Sequence, residues 1–195
     1  MSVLMATTAP HPSEAVADTW VGETERLLIR RLTRDDQPTL IELFGSLQVM
    51  RFSTTGPLAP PQVAQVLDQI LQSYEDSPMS LWGVVEKSDQ QLIGLCGFLW
   101  RETPSRGESE LAYRFLPRYW RQGLATEAAR FCRDLAFLSP TVQSVTALLE
   151  QGNRGSVRVA EKVGLQFQTA THVNGLPVLK YDLRRPRAPH RRNCE

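Results

Sequence analysis

The 195-residue sequence predicts one mixed α+β domain built around a single central sheet. Segments with strand character alternate with segments of helical spacing, in the order β-α-α-β-β-β-α-β-α-β-β. An Asn-Gly pair at 174–175, the strongest two-residue hairpin signal, joins the last two strands. The length suits one well-packed domain. We place it at residues 23–184, with a flexible segment at 1–22 and a basic flexible tail at 185–195.

Apolar spacing and turn residues place the elements of the first half. A strand comes first, then two helices and a hairpin, with ranges 26–32, 38–44, 61–74, 81–86 and 92–100. Capping side chains and Pro38 begin the first helix, and one clean apolar face marks the second. Polar residues between the last two ranges supply the hairpin turn. Gly94 and Gly97 are unusual inside a strand, and they indicate a bulge or a close approach of backbone.

The second half is predicted to contain four strands and two helices. Their ranges are 108–115, 125–138, 144–149, 156–163, 166–173 and 177–183, of which the second and fourth are helical. The longer helix carries its apolar residues on one face. The shorter helix stops at Gly164, where a glycine C-cap is expected. The last two ranges form the hairpin that the Asn-Gly turn connects.

Charge and cysteine content argue against several classes of protein. Lys and Arg number 22 and Asp and Glu 21, whereas nucleic-acid-binding domains usually carry a basic excess. No apolar run approaches the roughly 20 residues that span a bilayer, and residues 1–20 do not resemble a secretory signal. Cys96, Cys132 and Cys194 are too scattered for a disulfide framework or a zinc site. We expect a soluble cytoplasmic monomer or homodimer with no metal and no nucleic-acid or membrane partner.

The most informative local pattern is the glycine turn at residues 119–128, between a strand and a helix. Gly123 leads directly into the helix, and such a start points several unpaired backbone N–H groups in one direction. Phosphate and pyrophosphate bind to groups arranged in this way. The turn therefore predicts a nucleotide-type cofactor. The alternative is a helix start that merely needs a tight turn.

A second pattern lies at residues 153–165, after the strand at 144–149. Asn153 could cap the short helix, and Ser156 follows about one turn later. Both are small polar groups at the end of a strand, where sheet folds commonly build sites. The alternative is that the two residues serve only as helix caps.

Four segments together resemble the GNAT (Gcn-related N-acetyltransferase) superfamily, specifically its Rim-type ribosomal-protein N-acetyltransferase branch. The segments are residues 24–30, 92–97, 110–128 and 153–165, in the family's order and spacing. The resemblance covers residues 24–184. It implies one domain with a mostly antiparallel sheet of about seven strands, helices on both faces, and two strands splayed apart at the cofactor site.

The resemblance also implies acetyl-CoA as co-substrate. In the family, the pyrophosphate of coenzyme A binds the backbone N–H groups of the turn that here comprises Arg121, Gln122, Gly123, Leu124, Ala125 and Thr126. The pantetheine arm lies beside the strand end matching Phe115 and Leu116, and the asparagine matching Asn153 contacts it. Arg121 replaces a glycine common in this branch. It either adds a cation near the phosphates or points into solvent.

The implied reaction transfers an acetyl group to a primary amine, of a protein N-terminus or a small molecule, by direct attack in a ternary complex. The serine matching Ser156 is the favoured proton donor to the departing thiolate. A base must also accept a proton from the amine. Glu108 and Glu110 share one strand face, and either could do so, or both could be exposed surface charges. Glu110 is preferred because it aligns with the family's Glu-x-x-Tyr segment.

The acceptor is left open by the sequence. Residues 46–61 and the last hairpin are expected to shape its side of the site. His172 could line this pocket or be an ordinary surface histidine. A rival from another class is a catalytically silent acyl-CoA-binding regulatory module. A nucleotide-phosphate-binding protein is disfavoured because the Walker-type glycine-lysine pattern is absent.

Overall fold

The computed structural model describes residues 19–53, 55–99, 107–173 and 175–186. These residues form eight strands and five α-helices. In chain order they are β1 (Trp20–Glu23), β2 (Leu27–Arg30), α1 (Gln37–Gly45), α2 (Leu47–Met50), α3 (Pro60–Asp76), β3 (Leu81–Glu86), β4 (Leu92–Leu99), β5 (Glu108–Phe115), α4 (Leu124–Ala136), β6 (Ser144–Glu150), α5 (Arg154–Lys162), β7 (Gln166–Val173) and β8 (Leu176–Arg184). Two short 3-10 helices, Arg34–Asp36 and Pro117–Tyr119, precede α1 and α4.

All eight strands belong to one sheet, in the order β1-β2-β3-β4-β5-β6-β8-β7. Every neighbouring pair is antiparallel except β5 and β6. That parallel pairing spans only three residue pairs, from Glu108 with Ser144 to Glu110 with Thr146. Beyond them β5 and β6 separate. The predicted mixed fold and the splayed strands are confirmed, with one more strand, β1, than the sequence predicted.

Helices cover both faces of the sheet, as predicted. Helices α1, α2 and α3 pack over one apolar core, and α4 and α5 pack over the other. Strand β4 contributes to both. Ile93 and Cys96 face the α4 side, whereas Leu92 and Leu95 face the α3 side. Because the side chains of β4 fill both cores, the strand has a nearly continuous apolar sequence.

The two glycines of β4 have the roles that their position indicated. The register of β3 and β4 shifts around Ile93, which is therefore a bulge. A Cβ atom on Gly94 would clash with the carbonyl oxygen of Arg114, and one on Gly97 would clash with that of Ser80. Both the bulge and the close backbone approach are confirmed. Gly94 thus leaves room for the backbone of β5, and Gly97 leaves room for the backbone at the start of β3.

Ordered structure extends beyond both predicted domain limits. Strand β1 begins at Trp20, within the segment predicted to be flexible, and pairs with β2. Arg185, assigned to the tail, donates to the carbonyl oxygens of Phe137 and Val142 and stacks on the Phe137 ring. Residues 1–18 and 187–195 of these two segments, including Cys194, lie outside the described residues. None of the described helices has the length and apolar character that crossing a membrane requires.

Two cysteines form a buried thiol pair between the sheet and α4. Cys96 on β4 and Cys132 on α4 are fully buried, unoxidised and 3.5 Å apart between Sγ atoms. Burial raises the pKa of the Cys132 thiol well above its usual value, and the contact with Cys96 raises it further. Both are core residues.

Candidate active site

The turn between β5 and α4 presents a row of backbone N–H groups. Gly123 is the N-cap of α4 and has a left-handed φ of +82°. Arg121 is also left-handed, with a φ of +62°. Within the described part of the chain, the N–H groups of residues 121–126 have no hydrogen-bond acceptor. We call these groups the N–H cradle, and they suit an anion at the positive end of the helix.

Glu127 anchors the N–H cradle to the turn before β2. Its carboxylate accepts hydrogen bonds from the Thr24 hydroxyl at 2.6 Å, the Arg26 backbone N–H at 2.9 Å and Arg26 Nε at 2.8 Å. Arg26 also donates to the Gln122 carbonyl at 3.0 Å. Burial opposes ionisation of Glu127, but these contacts outweigh it and lower the pKa of its carboxyl. The sequence analysis identified the segments that contain Arg26 and Glu127, but it did not predict the contact between these two residues.

Basic side chains lie beside the N–H cradle. A cavity of about 430 Å³ opens there, and its charged lining residues are Arg26, Arg130, Lys162, Glu25 and Glu127, with Arg26 paired to Glu127. Cations next to a helix N-terminus favour an anionic ligand. The Arg121 side chain is exposed, so both alternatives for it stay open. The backbone donors, the Arg130 and Lys162 cations and the left-handed Gly123 fit a pyrophosphate.

Asn153 and Ser156 meet at the start of α5, across the gap from the splayed half of β5. The Asn153 Oδ1 atom accepts a hydrogen bond from the Ser156 backbone N–H at 3.1 Å. Tyr113, on β5, donates its hydroxyl proton to the Ser156 carbonyl at 2.6 Å. Burial raises the pKa of Tyr113 strongly, so the phenol stays neutral. Tyr113 therefore fixes the turn that carries Ser156, a role that sequence reasoning missed.

Three residues predicted to contact the cofactor are core residues by their side chains. Phe115 is 4% exposed, Leu116 is 0% and Leu124 is 1%. The Leu116 N–H donates to the Ile93 carbonyl, and the Phe115 carbonyl accepts from Trp120 Nε1 at 2.7 Å. These side chains shape the site from beneath. Only the N–H of Leu124 belongs to the N–H cradle.

The two candidate bases share one face of β5, as predicted. Both carboxylate oxygens of Glu108 lie 3.1 Å from Lys180 Nζ on β8, so that carboxylate is held in an ion pair. Glu110 belongs to the last residue pair before β5 and β6 separate. His172 is exposed on β7. Among the described residues, no group of three or more His, Cys, Asp or Glu side chains could hold a metal ion.

A second cavity, of about 650 Å³, lies between α3 and the strands β4 and β5. We call it the α3 cavity. Its lining includes Phe44, Ile70, Ser73, Leu95, Ala112 and Arg114. None of its described lining residues comes from residues 46–61 or the last hairpin, where the sequence analysis placed the acceptor side. Arg114 was not among the predicted site residues, because a charged residue in an alternating strand usually faces solvent.

Comparison with known proteins agrees with this geometry. Residues 26–166 match the family model described as the acetyltransferase (GNAT) domain. The protein YkkB of Bacillus subtilis (strain 168) is 29% identical over 160 residues, covering 82% of this chain and 92% of YkkB. YoaA of the same organism, named as an N-acetyltransferase, is 24% identical over 160 residues, covering 80% and 90% of the two chains.

Solved structures share the fold. RimL, a ribosomal L7/L12 alpha-N-protein acetyltransferase solved with coenzyme A, superposes with a TM-score of 0.71 at 13% identity, covering 83% of this chain and 95% of that one. The aminoglycoside acetyltransferase AAC(6')-Ib, also solved with coenzyme A, superposes with a TM-score of 0.67 at 19% identity, covering 82% and 95%. The fold and the N-acetyltransferase activity predicted from the sequence are thus confirmed. The chain belongs to the GNAT family of acetyltransferases.

Proposed function

We propose that this domain transfers an acetyl group from acetyl-CoA to a primary amine that enters through the α3 cavity. The observation that carries the proposal is the position of β5. The splayed half of this strand has Tyr113 and the start of α5 on one face, and Ala112 and Arg114 at the α3 cavity. A donor and an acceptor that approach from opposite faces would therefore meet at the gap between β5 and β6.

The side of the site that would bind acetyl-CoA consists mainly of backbone groups. The N–H cradle would hold the pyrophosphate, and the Asn153 amide would contact the pantetheine arm. When bound, acetyl-CoA supplies an electrophilic thioester. Beyond Glu110, β5 has no parallel partner on β6, so its edge can direct N–H groups at the thioester carbonyl. RimL and AAC(6')-Ib, both solved with coenzyme A, support this assignment.

The side chains that would move protons lie on either side of the same gap. Glu110, at the mouth of the splay, would accept a proton from the attacking amine, directly or through a water. The Ser156 hydroxyl would donate a proton to the departing sulfur. Tyr113 would act as a positioning residue, because its hydrogen bond holds the Ser156 backbone. Glu108 is the alternative candidate for the base, and Lys180 holds its carboxylate.

The acceptor class is part of the proposal. RimL is named for a protein α-amine and AAC(6')-Ib for an aminoglycoside, so the fold serves both protein and small-molecule amines. We propose a primary amine of either source. The cytoplasmic location and a monomeric or homodimeric state stay predictions.

Two measurements on the full chain test the proposal. Calorimetry should detect acetyl-CoA binding, and a thiol-release assay with a panel of peptides and small amines should detect amine-dependent release of CoA. Reactions without amine provide the control for hydrolysis. Binding without amine-dependent release would favour the silent regulatory module. Absence of binding would contradict the donor site itself.

A further inference from the structure

Arg114 has no ionic partner in the part of the chain that the structure describes. Its guanidinium lies 5.1 Å from the centre of the Phe44 ring, in a cation–π contact. Among the described residues, no carboxylate forms an ion pair with Arg114 and no group hydrogen-bonds to its side chain. Burial lowers the pKa of Arg114, as expected for a charge removed from water. An aromatic ring replaces only part of the lost hydration.

The α3 cavity gives this cation a place to find a partner. Of the described residues that line the cavity, only Arg114 and Asp76 are charged. Asp76 is exposed at the C-terminal end of α3 and forms no ion pair with Arg114. A partly desolvated guanidinium that faces a cavity binds carboxylates well, because its planar donors match the two oxygens.

The distance from Arg114 to the transfer point suits one small acceptor. Arg114 and Glu110 lie on the same face of β5, four residues apart, which places their Cα atoms about 13 Å from each other. Ala112, between them on that face, leaves the space open. Because both long side chains can lean across Ala112, an amine near Glu110 and a carboxylate near Arg114 can belong to one molecule.

We infer that the α3 cavity is the acceptor site and that Arg114 binds a carboxylate of the acceptor, so that the enzyme selects amines that carry a carboxylate. This inference rests on the proposed function. A free amino acid and a peptide with an acidic residue next to its N-terminus both offer the required chemistry. The experiment below distinguishes these two sources.

The test compares matched acceptors that differ only in the carboxylate. One pair is 4-aminobutanoate and 4-aminobutanamide, and the other is Ser-Glu-Ala and Ser-Gln-Ala with amidated C-termini. Wild type should prefer the carboxylate member of at least one pair by about tenfold or more in kcat/KM. The preferred pair identifies the source of the acceptor. Arg114→Met should remove the preference, mainly through KM, and leave acetyl-CoA affinity unchanged. Arg114→Lys should keep a smaller preference.

Arg31→Met is the matched control. Arg31 also lies over an aromatic ring, that of Tyr74 at 5.3 Å, but it does not line the α3 cavity. This variant should keep the preference of wild type. If Arg114→Met does not fold, as judged by circular dichroism and acetyl-CoA calorimetry, Arg114→Gln provides the same measurement.

Three results would overturn the inference. Wild type could treat both members of each pair alike, Arg114→Met could retain the preference, or only amines without a carboxylate could react. In each case the proposed acetyl transfer would not be contradicted, but the proposed role of Arg114 would be wrong. If acetyl-CoA bound but no amine of any kind released CoA, both the proposed function and this inference would be wrong.

Discussion

The two faces of β5 present sites of different construction. On the donor face, the N–H cradle is a continuous stretch of backbone at the start of α4, and only Gly123 requires a particular residue type. On the other face, the α3 cavity is assembled from side chains of α1, α3, β4 and β5. A backbone site tolerates many substitutions and recognises a constant ligand. A site of dispersed side chains depends on residue identity, so it is where selectivity can vary.

Gly123→Glu should break the donor side alone, with the largest effect of the substitutions we propose. The added carboxylate would lie at the N–H cradle, and we expect acetyl-CoA affinity to fall more than about 100-fold, a ratio that corresponds to roughly 3 kcal/mol. Gly56→Glu is the control, because Gly56 is also left-handed, at +65°, and has open space around it. Calorimetry checks the effect. Unchanged affinity in Gly123→Glu would mean that the cofactor binds elsewhere.

Glu110→Gln tests the proposed proton acceptor at the boundary between the two sites. We expect kcat to fall about 100-fold, within the range for loss of a general base, with acetyl-CoA affinity retained. Raising the pH should reduce the difference in kcat between wild type and the variant, because more of the amine is then neutral. Glu108→Gln is the matched control and should change kcat less than about threefold, since the Lys180 ion pair already holds that carboxylate. A larger effect at Glu108 would reverse the assignment.

Glu127→Gln should weaken the anchor of the N–H cradle. We expect the free energy of unfolding to fall by about 2 kcal/mol, because charge-assisted hydrogen bonds from Thr24 and Arg26 are lost. The lowered pKa means that this stabilisation is present above the usual pKa of a glutamate and is lost as the pH falls through the lowered one. The difference between wild type and variant should therefore shrink in acid. Urea unfolding at several pH values measures it, with the exposed Glu161→Gln as control.

Ser156→Ala should separate catalysis from donor binding. We expect kcat to fall about tenfold, since a proton donor to sulfur is removed. Acetyl-CoA affinity should stay nearly constant because the backbone N–H of residue 156, which Asn153 caps, is unchanged. Single-turnover kinetics and calorimetry on the same preparation separate the two quantities. An equal loss of affinity would identify Ser156 as a binding residue.

Arg121→Gly should have the smallest effect and decides between the two alternatives for this side chain. Glycine relieves the left-handed strain, and we expect the free energy of unfolding to rise by up to about 1 kcal/mol. If the guanidinium contacts the phosphates, acetyl-CoA affinity should fall and become less sensitive to salt. If it points into solvent, affinity should not change. Calorimetry at two salt concentrations measures both.

The parts of the molecule that follow from local pattern were predictable. Gly123 before a helix, the apolar face of α4 and the hairpin of β7 and β8 all depend on neighbours in the chain. Strand β1 was missed because four residues that include Gly22 carry too little pattern. Helix α2, also four residues long, was missed for the same reason.

The contacts that depend on the tertiary fold could not be predicted. Nothing near Arg114 in the sequence indicates that Phe44 and α3 cover it. The link between Glu127 and Arg26 joins residues 101 apart, and the bond from Tyr113 to Ser156 spans 43. The family resemblance predicts a donor site at residues 121–126, a short continuous stretch of the chain. The acceptor side that we propose is lined by segments far apart in the chain, so no single stretch of sequence indicates it.

The buried pair of Cys96 and Cys132 supplies an intrinsic probe of the interface between α4 and the sheet. A thiol-specific reagent can label either cysteine only after α4 has lifted away from β4, so the labelling rate reports the frequency of that opening. Acetyl-CoA held at the start of α4 should slow the reaction in proportion to its occupancy. The protein thereby carries its own sensor of donor binding, which needs no acceptor and no turnover.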